Sequence, residues 1–555
     1  MRKFIYLIIA VFTFNAIALS QENSFPTESI YIHTNSETFI SGESLLYKIY
    51  CFENSNNNLS KISKIAYVEL FNSKGISLTR NKIELTDGIG NNEIFISTNY
   101  ETGKYKLVGY TSWMQNNSSN KYFETEITII NPFKPFQNKE EKKSFNKFQK
   151  NSKNDSNHDL LLSLNKKTFS SREKITLQIE NKELKSTSNN FSISVRKIDS
   201  LNFDNSNNVI SQKSSEKIST ISYLPELRGE LLSGKITTEN PSKKLENNDV
   251  ALSFTGEKFD LKVFRTNSNG TFNFILDKNI TNNNAFIQVL DDESNDYKII
   301  LDNPTTTKLI GTNTNDEIYI NPNFVNQIEE RLISCQIQNT YDTQDIFKND
   351  KTFFPFYNPN QTDYILDDYK RFPSFKETII EIIPSVYFKQ NKEQYSLHIR
   401  DYVTSGDSYG KAMVLVDGLL IQNLNELFNY NTKNIYKISV INKPYVYGSR
   451  IFSGVISIIT FDKNYSLIPK EVTPITIERY STSTKYNQPN YNNTDLERIP
   501  DYRYQLLWKP NLEINNEKKS IEFYSSDIKG NFEITLEGFT DNGKHIVLKE
   551  YFSVE

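Results

Sequence analysis

Residues 411–418 read Lys-Ala-Met-Val-Leu-Val-Asp-Gly, and residues 436–442 read Tyr-Lys-Ile-Ser-Val-Ile-Asn. Tyr-Val-Tyr-Gly follows at 445–448 and Gly-Val-Ile-Ser-Ile-Ile-Thr at 454–460. Apolar, largely β-branched runs broken by Asp-Gly, Lys-Pro and Gly are the pattern of short sheet strands joined by tight turns. In such a turn Asp417 accepts backbone hydrogen bonds and Gly418 takes the backbone conformation that a side chain would resist. A carboxylate beside glycine at a strand end can also be a chemical site; the turn role is the one expected here.

Working outward, an amphipathic helix is expected over Phe375–Ile383, stopped by Pro384, which cannot continue a helix. A small α+β domain over 360–462 follows. The order of its motifs resembles the plug domain of TonB-dependent outer-membrane receptors, in which "VDG", "I..I.VI" and "yG...GVI.I.T" recur at similar spacings. The resemblance gives Asp417, Gly418, Tyr447, Gly448 and Gly454 structural roles. A receptor would continue into several hundred residues of membrane barrel, whereas 95 residues follow Thr460 here. The resemblance therefore implies a plug-like domain that stands alone or docks on another protein.

Upstream, residues 24–132 alternate polar and apolar positions in six short runs: Ser29–His33, Ser44–Cys51, Ile65–Phe71, Asn92–Ser97, Lys104–Tyr110 and Glu124–Ile130. This spacing predicts an antiparallel β-sandwich. Phe39-Ile40-Ser41-Gly42-Glu43, Val68-Glu69-Leu70 and Gly103-Lys104-Tyr105-Lys106-Leu107 resemble, in order, the macroglobulin-type MG2 domain, with Ser41 where that pattern has proline. Residues 133–159 are rich in Lys, Asn, Gln and Ser and read as a polar linker. A second macroglobulin-like β segment is expected over 160–226, where Phe169 and Arg172-Glu173 echo the start of the first, with a polar insertion at 201–219. Residues 227–312 carry Arg228-Gly-Glu-Leu-Leu-Ser-Gly-Lys-Ile236 and Asn269-Gly-Thr-Phe-Asn-Phe274, similar to the carboxypeptidase-regulatory-like sandwich. A helical linker is expected at 320–352. The last block, 465–555, reads as a separate C-terminal β-sandwich in which Phe532, Ile534 and Leu536 share one face between Gly530 and Gly538. The expected fold class is multidomain and mainly β: several Ig- or macroglobulin-like antiparallel sandwiches plus one small α+β plug-like domain. Together the segments resemble Bacteroidetes envelope proteins that combine these modules.

The 555 residues exceed what a single core supports, and 37 Phe and 32 Tyr supply large side chains for several β-rich cores. A net charge of −3 with mixed signs gives no footprint for nucleic acid. Arg2 and Lys3, the apolar run from Phe4 to about Ala18, and Ala18-Leu19-Ser20 predict a signal peptide over 1–20, cut before Gln21. The run is shorter than a spanning helix needs, and no transmembrane span is expected after its removal. Cys51 and Cys335 are the two cysteines, too few for a disulfide framework; Cys51 is expected as a buried thiol.

Few residues point to chemistry. His33, His158, His398 and His545 lack metal-ligand spacing to one another or to either Cys. There is no Gly-x-Ser-x-Gly elbow, no phosphate loop and no Cys-Gly-Glu-Gln thioester. Asp367, Asp368, Glu377 and Glu381 could suggest a metal, but a solvated helix face accounts for them. Tyr445, Tyr447, Trp508 and Tyr524 could suggest a sugar platform, but packing is the expected role. No catalytic residue, cofactor or metal is expected. The reading is a non-enzymatic, modular cell-envelope binding or scaffold protein with an outer-membrane or periplasmic protein partner. It would be exported to the periplasm or associated with the outer membrane, the cell surface staying open. The alternatives are an accessory component of a TonB-dependent uptake or secretion complex, a macroglobulin-like protease inhibitor, and a hydrolase of envelope glycan.

Overall fold

The three apolar runs become neighbours in one sheet. In a computed structural model of the chain, Ile435–Ile441, Val455–Thr460 and Met413–Val416 lie side by side, flanked by Thr362–Ile365 and Leu419–Leu420. Met413–Val416 pairs with Val455–Thr460 in parallel, and the other pairings are antiparallel. Helix Phe375–Ile382 is capped by Ser374, whose hydroxyl accepts from the Glu377 amide, and it ends two residues before Pro384. Its Phe375 and Ile379 pack with Val414, Val416, Ile438 and Ile456 in a single core. We call this domain D.

The description covers residues 25–117, 122–135, 160–182, 190–201, 218, 221–276, 282–291, 294–302, 318, 320–341, 355–357, 361–391, 394–400, 410–481, 486, 488–489, 491, 499–514, 518–540 and 543–555. The expected signal peptide, most of the 133–159 linker, most of the 201–219 insertion and His158 lie outside these residues. The chain divides into two units. One holds residues 1–227, 306–345 and 480–555; the other holds 228–305 and 346–479.

The first unit contains two sandwiches. Sandwich A faces a three-stranded sheet (Glu28–Thr34, Ser44–Glu53, Ile89–Phe95) with a five-stranded one (Thr38–Ile40, Phe123–Ile130, Gly103–Tyr110, Ile65–Phe71, Ser77–Glu84). Tyr47, Ile49, Val68, Leu107 and Ile127 fill the space between them. Two of its strands were not legible as such. Ser77–Glu84 carries six polar residues in eight and buries only Ile83 fully, as an edge strand can, and Thr38–Ile40 is three residues long.

Sandwich B corrects the sequence reading. The segment 160–226 and the block 465–555, expected as separate domains, interleave as two halves of one sandwich. Lys174–Asn181 lies between Leu160–Leu164 and Lys518–Tyr524 in one sheet. Asn190–Lys197 lies between Gln505–Glu513 and Gly530–Phe539 in the other, with His545–Val554 and Thr168–Phe169 beyond. Either half alone would leave its apolar face in water. Leu177, Ile179, Ile193, Val195, Phe532, Ile534 and Leu536 close it, each worth roughly 1.5–3 kcal/mol on burial. Gly538, read as a strand terminator, is inside the strand; a Cβ there would sit 2.6 Å from the Asn190 carbonyl oxygen.

The expected helical linker holds helix Val325–Tyr341, and that helix is no spacer: Ile328 joins Ile40, Ile130 and Leu201 in a small core shared with sandwich A. In the second unit, sandwich C pairs Thr271–Ile275, Leu231–Thr238 and Tyr297–Leu301 against Asp260–Arg265, Asp249–Phe254, Asn284–Val289 and Thr473–Thr476. The last of these strands comes from the 465–555 block, so that block contributes to two different domains. Among the described residues, no helix is long and apolar enough to cross a membrane.

Candidate functional site

The five motif residues of domain D lie where the domain meets sandwich C or where its own strands touch. Asp417 and Gly418 have φ of 48° and 90°, the two positive values that a tight two-residue hairpin turn between Val416 and Leu419 requires. The Asp417 carboxylate accepts from the Thr460 amide at 2.8 Å and from the Thr460 hydroxyl at 2.6 Å, tying the turn to the neighbouring strand. Burial pushes its carboxyl above the usual range, and the Thr460 donors only partly offset this. A Cβ on Gly418 would collide with the Phe259 Cβ, so the turn touches sandwich C backbone to side chain. The Tyr447 hydroxyl donates to the Leu261 carbonyl, and Gly448, at φ 59°, lies against Val263. Gly454 abuts the Ile441 carbonyl within its own sheet. Beside them Asp249 of sandwich C, almost fully buried, binds Arg450, Arg265 and the Ser449 hydroxyl. Burial would raise its carboxyl, but these donors hold it below the usual range.

The other sequence candidates take structural or solvent-facing positions. Glu377 and Glu381 are exposed, and Asp367 pairs with Arg371 at 2.6 Å. No group of three metal-ligating side chains occurs among the described residues. Trp508 is buried, the Tyr445 hydroxyl donates to the Phe356 carbonyl, and Tyr524 meets Tyr491 edge to face. His398 is fixed between the Ser396 hydroxyl and the Gly410 carbonyl, each at 2.9 Å. Cys51 and Cys335 are both free and buried, and burial pushes the Cys335 thiol up to about 12.

The sequence reading missed a concentration of buried charge. It lies in the first unit, between sandwiches A and B. Glu537 accepts from the Tyr31 hydroxyl, and its two oxygens lie 3.1 Å from His545 Nε2 and 3.3 Å from His33 Nε2. His33 Nδ1 is 2.6 Å from the Ser192 hydroxyl. Lys48 donates to the Phe191 carbonyl at 3.0 Å and to the Asn190 side chain, and sits over the Tyr50 ring. Burial alone would raise the Glu537 carboxyl, but His33, His545 and Tyr31 hold it at about 2. His33 moves the other way: burial lowers it, Glu537 partly opposes this, and Lys48, His545 and Lys549 add to it. A second charged cluster anchors the helix. Arg331, 1 % exposed, binds Glu43 at 2.5 Å, Asp199 at 3.1 Å and the Thr38 carbonyl at 3.1 Å. Arg196 reaches the same Glu43 at 3.0 Å. Alternation did carry a signal for the first cluster. Tyr31, His33 and Glu537 occupy the strand faces opposite Ile30, Ile32 and Leu536, which a single sandwich would leave in water.

No family model and no curated protein matches the chain. Solved structures similar to it include Escherichia coli alpha-2-macroglobulin activated by porcine elastase, at 8% identity and a TM-score of 0.25. That match covers 95% of this chain and 44% of the other. Salmonella alpha-2-macroglobulin reacted with methylamine matches at 10% identity and 0.24, covering 97% and 40%. Dimeric latent PorU from Porphyromonas gingivalis matches at 9% and 0.15, covering 50% and 33%. The chain thus spans less than half the length of the macroglobulins it matches, and its fold stands on its own strand pairings.

Proposed function

We propose that this chain is a non-enzymatic, modular cell-envelope protein in which macroglobulin-like and carboxypeptidase-regulatory-like sandwiches carry a plug-like domain D and present it to an outer-membrane or periplasmic protein. It is exported, and it works by binding. What supports this reading is the use made of Asp417, Gly418, Tyr447 and Gly448: every one is committed to the turn or to seating domain D on sandwich C. A module fastened in this way is carried as a unit, and fold by itself assigns it no chemistry. The ribbon Tyr445–Tyr447/Arg450–Phe452 keeps its inner face on sandwich C and turns the cross-strand pair Val446 and Ile451 outward, Val446 at 69 % exposure. Outward apolar pairs on a ribbon anchored by buried charge suit contact with another protein.

The test is a photo-crosslinking residue at Val446 in cells of the source organism, with protease shaving of whole cells to place the domain. The reading expects adducts with an envelope protein from Val446 and none from Glu381 on the opposite helix. Residence in the cytoplasm, or equal labelling from both positions, refutes it. Adducts with a TonB-dependent barrel would make the chain an accessory component of such a complex.

A further inference from the structure

The Glu537 cluster gathers His33, His545, Lys48 and Lys549 around one buried carboxylate. From sandwich A, the strand Glu28–Thr34 contributes Tyr31 and His33, and the strand Ser44–Glu53 contributes Lys48 and Tyr50; Glu37 bears on Tyr31 from the adjoining turn. From sandwich B, Gly530–Phe539 contributes Glu537, His545–Val554 contributes His545 and Lys549, and Asn190–Lys197 contributes Ser192. Lys549 is held at 3.0 Å by Glu533, and the Trp508 ring lies 5.3 Å from that of His33. Glu537 is therefore the carboxylate that His33, His545 and Tyr31 share.

We propose that this cluster is an acid-released fastener between sandwiches A and B: it holds them docked while His33 is neutral and loosens them once His33 takes up a proton. With Glu537 ionised, His33 Nε2–H donates to it and Nδ1 accepts from the Ser192 hydroxyl. A proton from solvent goes to Nδ1. The Ser192 O–H must then turn to its other acceptor, the Glu537 carbonyl oxygen 3.1 Å away. The site gains a full positive charge beside Lys48 with almost no water to solvate it. Once the sandwiches separate, the imidazolium is hydrated and titrates in its ordinary range. The sign follows: the separated state binds the proton more readily, so docking is fully present above the ordinary pKa of 6.5 and is lost as pH falls below it.

Hydrogen exchange on the full chain tests this locally, read on peptides covering Glu28–Thr34 and Gly530–Phe539 at about pH 7.5 and about pH 5.5, corrected for intrinsic rates. Both peptides are expected to lose protection several-fold at the lower pH in wild type, and H33N is expected to abolish that difference. Unchanged protection in wild type, or a difference that survives in H33N, overturns the proposal. As H33N could weaken the joint by itself, imidazole carbon NMR of the wild type reads His33 directly, assigned with H158N, H398N and H545N. A His33 signal that stays neutral where a free imidazole is protonated supports the fastener; one that titrates at or above the ordinary value overturns it.

Discussion

Arg331→Ala should be among the costliest single changes in the first unit. The guanidinium is the shared partner of two buried carboxylates, and it also caps the Thr38 carbonyl. Removing it leaves Glu43 with Arg196 and the Ile40 amide, and Asp199 without its 3.1 Å partner. Breaking a buried ion pair from one side costs about 3–5 kcal/mol, because the orphaned charge keeps its desolvation penalty. Arg196 remains to compensate, so about 3 kcal/mol is expected, or roughly a hundredfold in the folding equilibrium. Both tryptophans, Trp113 and Trp508, lie in the unit that contains Arg331, so urea unfolding followed by their fluorescence reports that unit. With a slope of about 3 kcal/mol per molar urea, the midpoint should fall by about 1 M. Combined with Glu43→Gln, the double variant should cost less than the sum of the singles by about 1–3 kcal/mol, as expected for residues in one network. A midpoint within about 0.2 M of wild type, or additive single effects, would refute the idea that this cluster holds the helix down.

Three further outcomes are expected. Glu537→Gln should destabilise the first unit by about 3 kcal/mol at neutral pH, the worth of a carboxyl held at about 2 against 4.5 in the open chain. That stability is present above 4.5 and lost as pH falls towards 2, so the urea midpoints of variant and wild type should have converged by the low end of this interval. Gly418→Ala, at φ +90° and hard against Phe259, should cost well over the roughly 1 kcal/mol of a positive-φ glycine in open space, which Gly256→Ala at φ +116° supplies as the comparison. Hydrogen exchange read on peptides of the second unit separates the two. Asp417→Asn should cost less than about 1 kcal/mol at neutral pH, since an amide can still accept from the Thr460 backbone and donate to its hydroxyl. Its sign is opposite to that of Glu537: a carboxyl raised by burial stabilises below its open-chain pKa and loses that contribution as pH rises through its raised folded-state value. The Tm difference between Asp417→Asn and wild type should therefore move in the variant's favour as pH rises through that range.

Much of domain D was legible in advance because its information is local. Val414, Val416, Ile438, Ile456 and Ile458 are β-branched and recur within short runs, and Asp417-Gly418 names its own turn. Pro384 marks where the helix stops for a reason contained in the residue itself. The roles of Tyr447 and Gly448 were only half legible, since their meaning depends on Leu261 and Val263, almost two hundred residues earlier. Ser77–Glu84 escaped because an edge strand with one buried side chain carries almost no apolar alternation.

The amino-acid sequence by itself determined the strands, their turns and the apolar face of each, because side-chain alternation and backbone preference act over a few residues. Tertiary structure decided which strands share a sheet. Lys174–Asn181 takes Lys518–Tyr524 as its partner across more than three hundred residues, and nothing local distinguishes that strand from any other with a matching apolar face. It also decided the fate of the opposite faces. Tyr31, His33 and Glu537 alternate as residues meant for water, and a second sandwich laid over them turned a solvated face into a closed, charged joint.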